Sequence, residues 1–99
     1  MALPVLSPPL LVLASLADGP KHGYAMIEDI KRMTGATLGA GTLYGAISRL
    51  EESGLIQPLR PTERRQPYRI TAAGNRELRD RIEAMASFAG ATLRKLEAL

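Results

Sequence analysis

Arg64 and Arg65 sit in a turn-forming stretch, Pro61-Thr62-Glu63-Arg64-Arg65-Gln66-Pro67, between two short runs of partly alternating polarity. From Arg60 to Arg69 there are four arginines against one glutamate, a local surplus that equals the formal charge of the whole chain, +3. Guanidinium groups carry a permanent charge and a planar fork of donors, so an arginine pair at a turn suits phosphate oxygens. A second set of chemistry-bearing residues lies upstream, where Gly41, Thr42, Tyr44, Gly45, Ser48 and Arg49 share one stretch with no carboxylate before Glu51. These small, hydroxylated, aromatic and cationic groups form an edge that an anionic surface could approach. A third set is Lys21 and His22, just ahead of another helical pattern, where they could hold a phosphate or simply cap the helix. Thr42 carries a similar alternative, and Tyr44 could reach a base or pack on a neighbouring hairpin. Arg49 could bind phosphate or pair with a nearby carboxylate.

Little else in the chain points to chemistry. One histidine, no cysteine, no HExxH pattern and no glycine-rich phosphate loop after a strand argue against an enzyme, and imply neither cofactor nor metal. A pI near 9.7 suits a nucleic-acid partner without establishing one. The longest apolar run, Leu10 to Ala17, is too short to span a bilayer, and no basic residue precedes it to form the head of a signal peptide. The expected location is therefore cytoplasmic, with no membrane partner.

The elements that must position these groups follow from periodicity and punctuation. Met1 to Leu6 carries no clear signal. Ser7 followed by Pro8 and Pro9 predicts a helix start, and Asp18-Gly19-Pro20 its end; Leu10 to Leu16 between them is apolar almost all round, hence buried. A second helix follows Lys21-His22-Gly23-Tyr24, with Met26, Ile27, Ile30 and Met33 inward, Tyr24 in the core with its hydroxyl at the rim, and Thr34-Gly35 closing it. In the third, Leu43, Ile47 and Leu50 recur at i, i+4 and i+7 with Ala46 beside them, and Ser53-Gly54 ends it. Ile56 to Arg60 and Tyr68 to Thr71 read as two strands of a hairpin whose tip holds the arginine pair.

Thr71 can cap a last helix reaching about Leu99, where Leu78, Ile82, Met85, Ala89, Leu93 and Leu96 recur at alternating steps of three and four. So long an apolar seam exceeds what a small core can cover, and a second copy of the chain is the simplest partner. The expected architecture is mainly α with a small two-stranded β wing: a winged helix-turn-helix over residues 1–71 and a dimerisation helix over residues 72–99. Its expected partner is double-stranded DNA, read by the third helix of a homodimer. A winged helix used only for protein contact is the alternative.

The segments His22-Gly23-Tyr24, Gly41 to Ile47, Arg49 to Ile56 and Tyr68 to Gly74, including GTLYGAISRLEESGLI and YRITAAG, together resemble the PadR family of bacterial transcriptional regulators. That resemblance covers nearly the whole chain. It implies a winged-helix domain with a C-terminal dimerisation helix, acting mostly as a repressor released by a small-molecule effector or another cellular signal. The length is similar to that of the short subgroup, with one terminal helix and no separate effector domain. The terminal helix has Phe88 as its only aromatic and no tryptophan, so no flat aromatic effector is assigned to it.

Overall fold

The structure is a computed structural model that describes residues 6–99. Most of the tail, Met1 to Val5, lies outside the described residues. Among the described residues the order is α1 (Pro8–Leu16), β1 (Lys21–His22), α2 (Gly23–Thr34), α3 (Ala40–Glu52), β2 (Ile56–Pro58), β3 (Pro67–Ile70) and α4 (Ala72–Glu97).

The punctuation residues act where the sequence places them. The Ser7 side chain accepts a hydrogen bond from the Leu10 amide at 3.4 Å, and the two prolines fill the first turn of α1, where an amide hydrogen would have no partner anyway. Gly35 closes α2 in the left-handed conformation, with φ 78°, and Gly54 makes the turn after α3 with φ 74°. Thr71 caps α4, accepting from the Gly74 amide at 3.0 Å while its own hydroxyl donates to the Gly54 carbonyl at 2.7 Å.

Helix α1 is the hub. Leu10, Leu11, Val12, Leu13 and Leu16 are buried and join Met26, Ile30, Leu43, Ala46, Ile47, Leu50, Ile56 and Leu78 in one core. Helices α2, α3 and α4 and strand β3 all pack against it. A helix apolar on every side is stable only when covered on every side, which explains the amphipathic stripes of its neighbours. Ser15, the one buried polar side chain among the described residues, donates to Asp29 Oδ2 at 2.7 Å and so ties α1 to α2.

The wing differs from expectation in one respect. Instead of two strands there are three, antiparallel in the order β1-β3-β2, with Lys21 opposite Tyr68, His22 opposite Pro67, and Ile56 opposite Ile70. The added strand is the pair Lys21–His22, which the outer edge of β3 recruits. Tyr24 departs too: it is 65% exposed, because the buried stripe of α2 runs through Gly23, Met26 and Ile30 and leaves it on the flank. Met33, in the last turn of the same helix, is half exposed.

Helix α4 leaves the body. Its first turns pack on α1 and β3, but beyond Met85 the helix is largely exposed, which stretches the molecule to 56 × 29 × 20 Å. No helix of the described residues is long and apolar enough to cross a membrane.

Candidate nucleic-acid interface

Successive residues of an α-helix turn by about 100°, so the stripe Leu43, Ala46, Ile47 and Leu50 fixes the outward side of α3. Gly41, Gly45 and Ser48 lie opposite the buried stripe, with Thr42 beside them, and all four are exposed. No atom would meet a Cβ added at Gly41 or Gly45 within 4 Å, so the backbone there is open to a large partner. The helix is capped by Gly39 without any side-chain bond, and its first turn holds no carboxylate. Thr42 is therefore not the cap, and the first amides of α3 are not satisfied by a cap side chain.

Tyr44 and Arg49 occupy opposite flanks of this surface. Tyr44 is 49% exposed, with its hydroxyl lying over the backbone of Gly23 at the start of α2. Tyr68 on β3 is close enough for Tyr44 and Glu51 to influence it: burial, then the charge of Glu51, raises its hydroxyl above the ordinary tyrosine range. Tyr44 thus bridges α3 and the start of α2. Arg49 lies on the other flank and lines a cleft of about 300 Å³ with Leu10, Leu13, Leu50, Glu77 and Arg81, facing α1 and α4 rather than the wing.

The wing tip is a two-residue hairpin turn. Thr62 and Arg65 exchange backbone hydrogen bonds of 3.0 and 2.8 Å, and Glu63 and Arg64 between them have φ of 49° and 64°. That is the geometry of a type I′ turn, which normally selects Asn-Gly because both central residues are left-handed. Below the tip, the Gln66 amide donates to the carbonyls of Leu59 at 2.7 Å and Pro67 at 2.8 Å, closing the base of the loop. Arg69 bonds across the hairpin to Gln57 Oε1 at 3.0 Å, consistent with a bracing role. Arg64 is exposed, and Arg65 Nη1 lies 2.8 Å from His22 Nε2.

Lys21 and His22 are turned to internal partners. The Lys21 ammonium donates to the Ser15 carbonyl and the Asp18 carboxylate and lies 3.9 Å from Asp29, leaving its side chain 17% exposed. Its hydrogen bond and charge hold the Asp18 carboxyl below the usual carboxylate range. His22 stands at the N-cap position of α2, with Nδ1 3.3 Å from the Ala25 amide nitrogen. Sequence reasoning assigned no site role to Gly23, whose lack of a side chain seats Tyr44, or to Gln66, which closes the base of the loop. Among the described residues no cluster of acidic, histidine or cysteine side chains could hold a metal.

On α4, Leu78 belongs to the core at 8% exposure and Met85 packs against it, whereas Ile82 is 44%, Leu93 56% and Leu96 60% exposed. Met85, Phe88, Ala89, Thr92 and Leu93 line one almost wholly apolar hollow. Of the six seam residues named from sequence, Leu78 is thus committed within its own chain and Ile82, Ala89, Leu93 and Leu96 are open.

A helix-turn-helix with an outward basic hairpin is one geometry, and comparison with known proteins tells which family uses it here. The family model described as "Transcriptional regulator PadR-like family" matches residues 12–80. The chain belongs to the PadR-like family. Members are transcriptional regulators, not enzymes. The chain is 44% identical over 81 residues to an uncharacterized 37.1 kDa protein in transposon TN4556 of Streptomyces fradiae, an alignment covering 82% of this chain. This PadR-like chain spans 24% of the length of that relative. Among solved structures it is similar to a transcriptional regulator from Clostridium thermocellum, with TM-score 0.77, 28% identity, and coverage of 88% of this chain and 87% of that one. A PadR family transcription regulator from Clostridium difficile shares the fold with TM-score 0.78 at 22% identity, over 90% of this chain and 97% of that one. The fold is also shared with Bacillus subtilis PadR in complex with operator DNA, with TM-score 0.65 at 22% identity, over 75% of this chain and 45% of that one.

Proposed function

We propose that this PadR-like regulator is a cytoplasmic, sequence-specific DNA-binding repressor that acts as a homodimer on an inverted-repeat operator. The observation that carries the reading is the outward side of α3: exposed Gly41, Thr42, Gly45 and Ser48, open backbone, and no carboxylate before Glu51. Thr42, Ser48 and the flanking Tyr44 read base edges, while Arg64 and Arg65 neutralise phosphates from the wing. Arg49, facing the α1–α4 cleft, reaches at most the backbone at the margin. Lys21 is left out of the interface because its ammonium already has three internal partners. A fold shared with a PadR protein crystallised on its operator supports this assignment.

In this reading residues 1–71 form the binding unit and residues 72–99 the pairing helix. Ile82, Ala89, Leu93 and Leu96 expose a contiguous apolar stripe, which a second α4 can cover by two-fold pairing. Such a pair sets the two α3 helices about one turn of duplex, roughly 34 Å, apart, and so selects half-sites with that spacing. An effector would act by changing the angle of the paired α4 helices and with it that separation.

A mobility-shift assay with DNA from upstream of the chain's own coding sequence tests the proposal. A retarded band that survives competitor DNA and depends on two half-sites is expected. Absence of any shift at low salt would favour the alternative, a winged helix used for protein contact.

A further inference from the structure

We infer that His22 is a positioning residue that holds the wing Arg65 in reserve and exchanges it for the cap of α2 when the wing meets DNA. The argument rests on two hydrogen bonds that one neutral imidazole cannot make together. Nδ1 lies 3.3 Å from the Ala25 amide, which can only donate, so this bond needs Nδ1 unprotonated and the proton on Nε2. Nε2 lies 2.8 Å from Arg65 Nη1, which also can only donate, so this bond needs Nε2 unprotonated and the proton on Nδ1. Each tautomer therefore satisfies one partner and sets two donors face to face at the other. The shorter, charge-assisted bond to Arg65 dominates while the protein is free.

The surroundings make the exchange specific to this pair. The first turn of α2 carries no carboxylate that could take the guanidinium instead. Lys21, next along β1, is turned toward Asp18 and Asp29. Pairing of β1 with β3 sets His22 opposite Pro67, two residues beyond Arg65, so the imidazole and the wing share one edge of the sheet. A phosphate oxygen is a stronger acceptor for Arg65 than a neutral imidazole. Once Arg65 moves to phosphate, Nε2 takes up the proton and Nδ1 caps α2 without competition. Wing docking and tightening of the helix-turn-helix thus become one event.

The inference rests on the DNA-binding reading for its second half, and the experiment separates the two. His22 is the only histidine of the chain, so its ring nitrogens give a single set of signals in long-range proton–nitrogen NMR. In buffer at about pH 8.5 the free protein should show the Nδ1–H tautomer and Arg65→Ala the Nε2–H tautomer. The same tautomer in both would overturn the latch. Adding a mixed-sequence duplex at low salt should convert the wild-type signal to Nε2–H. If backbone amides of α3 and the wing shift while the imidazole does not, the coupling is wrong although DNA binding stands. If no amide shifts, the DNA reading fails, and the comparison of the free proteins still decides the latch. As a second variant, His22→Asn keeps a capping side chain but is too short to hold Arg65, and should bind the duplex about threefold more tightly because no bond must first be broken. Unchanged or weaker binding by His22→Asn would count against the reserve role.

Discussion

The Tyr44 hydroxyl rests on the backbone of Gly23, so that a Cβ built on Gly23 would overlap it and come within 2.8 Å of the ring carbon Cζ. Half of Tyr44 is exposed, and the atom that must give way is the far end of its side chain. Gly23→Ala should therefore leave the fold intact, with thermal midpoint within a few degrees of wild type, a shift of about 1 kcal/mol or less in either direction. The displaced ring should alter the ratio of affinities for operator and scrambled duplex, as Tyr44→Ala does. A melting curve with competition binding on the two duplexes checks both; an unchanged ratio in both variants would restrict Tyr44 to packing.

At the wing tip, charge and strain can be separated. Glu63 and Arg64 hold left-handed φ values that cost L-residues about 1 kcal/mol or more each. Replacing the pair by Asn-Gly should raise the stability of the folded chain by about 1–2 kcal/mol, read as a higher denaturant midpoint. The same double variant, like Arg64→Ala, should lose about one unit of the log-log salt slope for duplex binding, the share of one phosphate. A full slope after loss of Arg64 would remove that residue from the interface.

Gly74 sets the direction of α4. A Cβ there would overlap the Leu55 carbonyl and come within 2.7 Å of Ile70 Cγ1, so the first turn of the helix lies flush against the turn after α3. Thr71 fastens the same joint through Gly54 and the Gly74 amide. Backbone cannot retreat as a side-chain tip can, so Gly74→Ala should destabilise by about 1–3 kcal/mol or tilt α4. Solution scattering with a denaturation curve distinguishes these: either a changed profile or a lower midpoint is expected, and neither change would mean the joint is loose.

Lys21 should prove structural. Removing its ammonium leaves Asp29, whose side chain is 17% exposed, with less support, and Lys21→Met should lower stability by about 1–3 kcal/mol while the salt slope of DNA binding stays as it was. Lys21 also holds the folded-state Asp18 carboxyl below its ordinary range, and this separate surface interaction is present above the unfolded carboxylate pKa and is lost as pH falls through the folded one. The variant should accordingly be less sensitive than wild type to acidification below about pH 4. A flattened salt slope would return Lys21 to the interface.

Much of the architecture was legible because its signals are local. Ser7-Pro8-Pro9, Gly35, Gly54 and Thr71 bound their helices through backbone chemistry that any context would enforce, and the stripe from Leu43 to Leu50 names its own inward side. The third strand was not legible: two residues carry no alternation, and Lys21–His22 is a strand only because β3 has a free edge beside it. Tyr24 was misplaced for a similar reason, since an aromatic near Met26 and Ile27 looks like core until the neighbouring helices show which side of α2 they cover. For the site, the residue types were readable but not their engagements. Lys21 and His22 carry on paper the alternative of holding a phosphate or capping the helix, and folding brings Asp29 and Arg65 to them.

The seam of α4 mixes two duties that one substitution each can resolve. Leu78 is spent in the core, so Leu78→Ala should cost about 2–5 kcal/mol of stability as a cavity opens beneath α1. Leu93, 56% exposed and beyond the reach of that core, gives the folded chain little by itself. In the homodimer we propose, a Leu93→Glu change places two carboxylates in an apolar contact, so light scattering should report monomers whose helical content is close to wild type. DNA affinity should then fall far more on a two-half-site duplex than on one half-site, because a monomer cannot engage both at once. A Leu93→Glu protein that remains dimeric would move the subunit contact off this stripe, and a monomer that loses equally on both duplexes would break the link between α4 pairing and operator spacing.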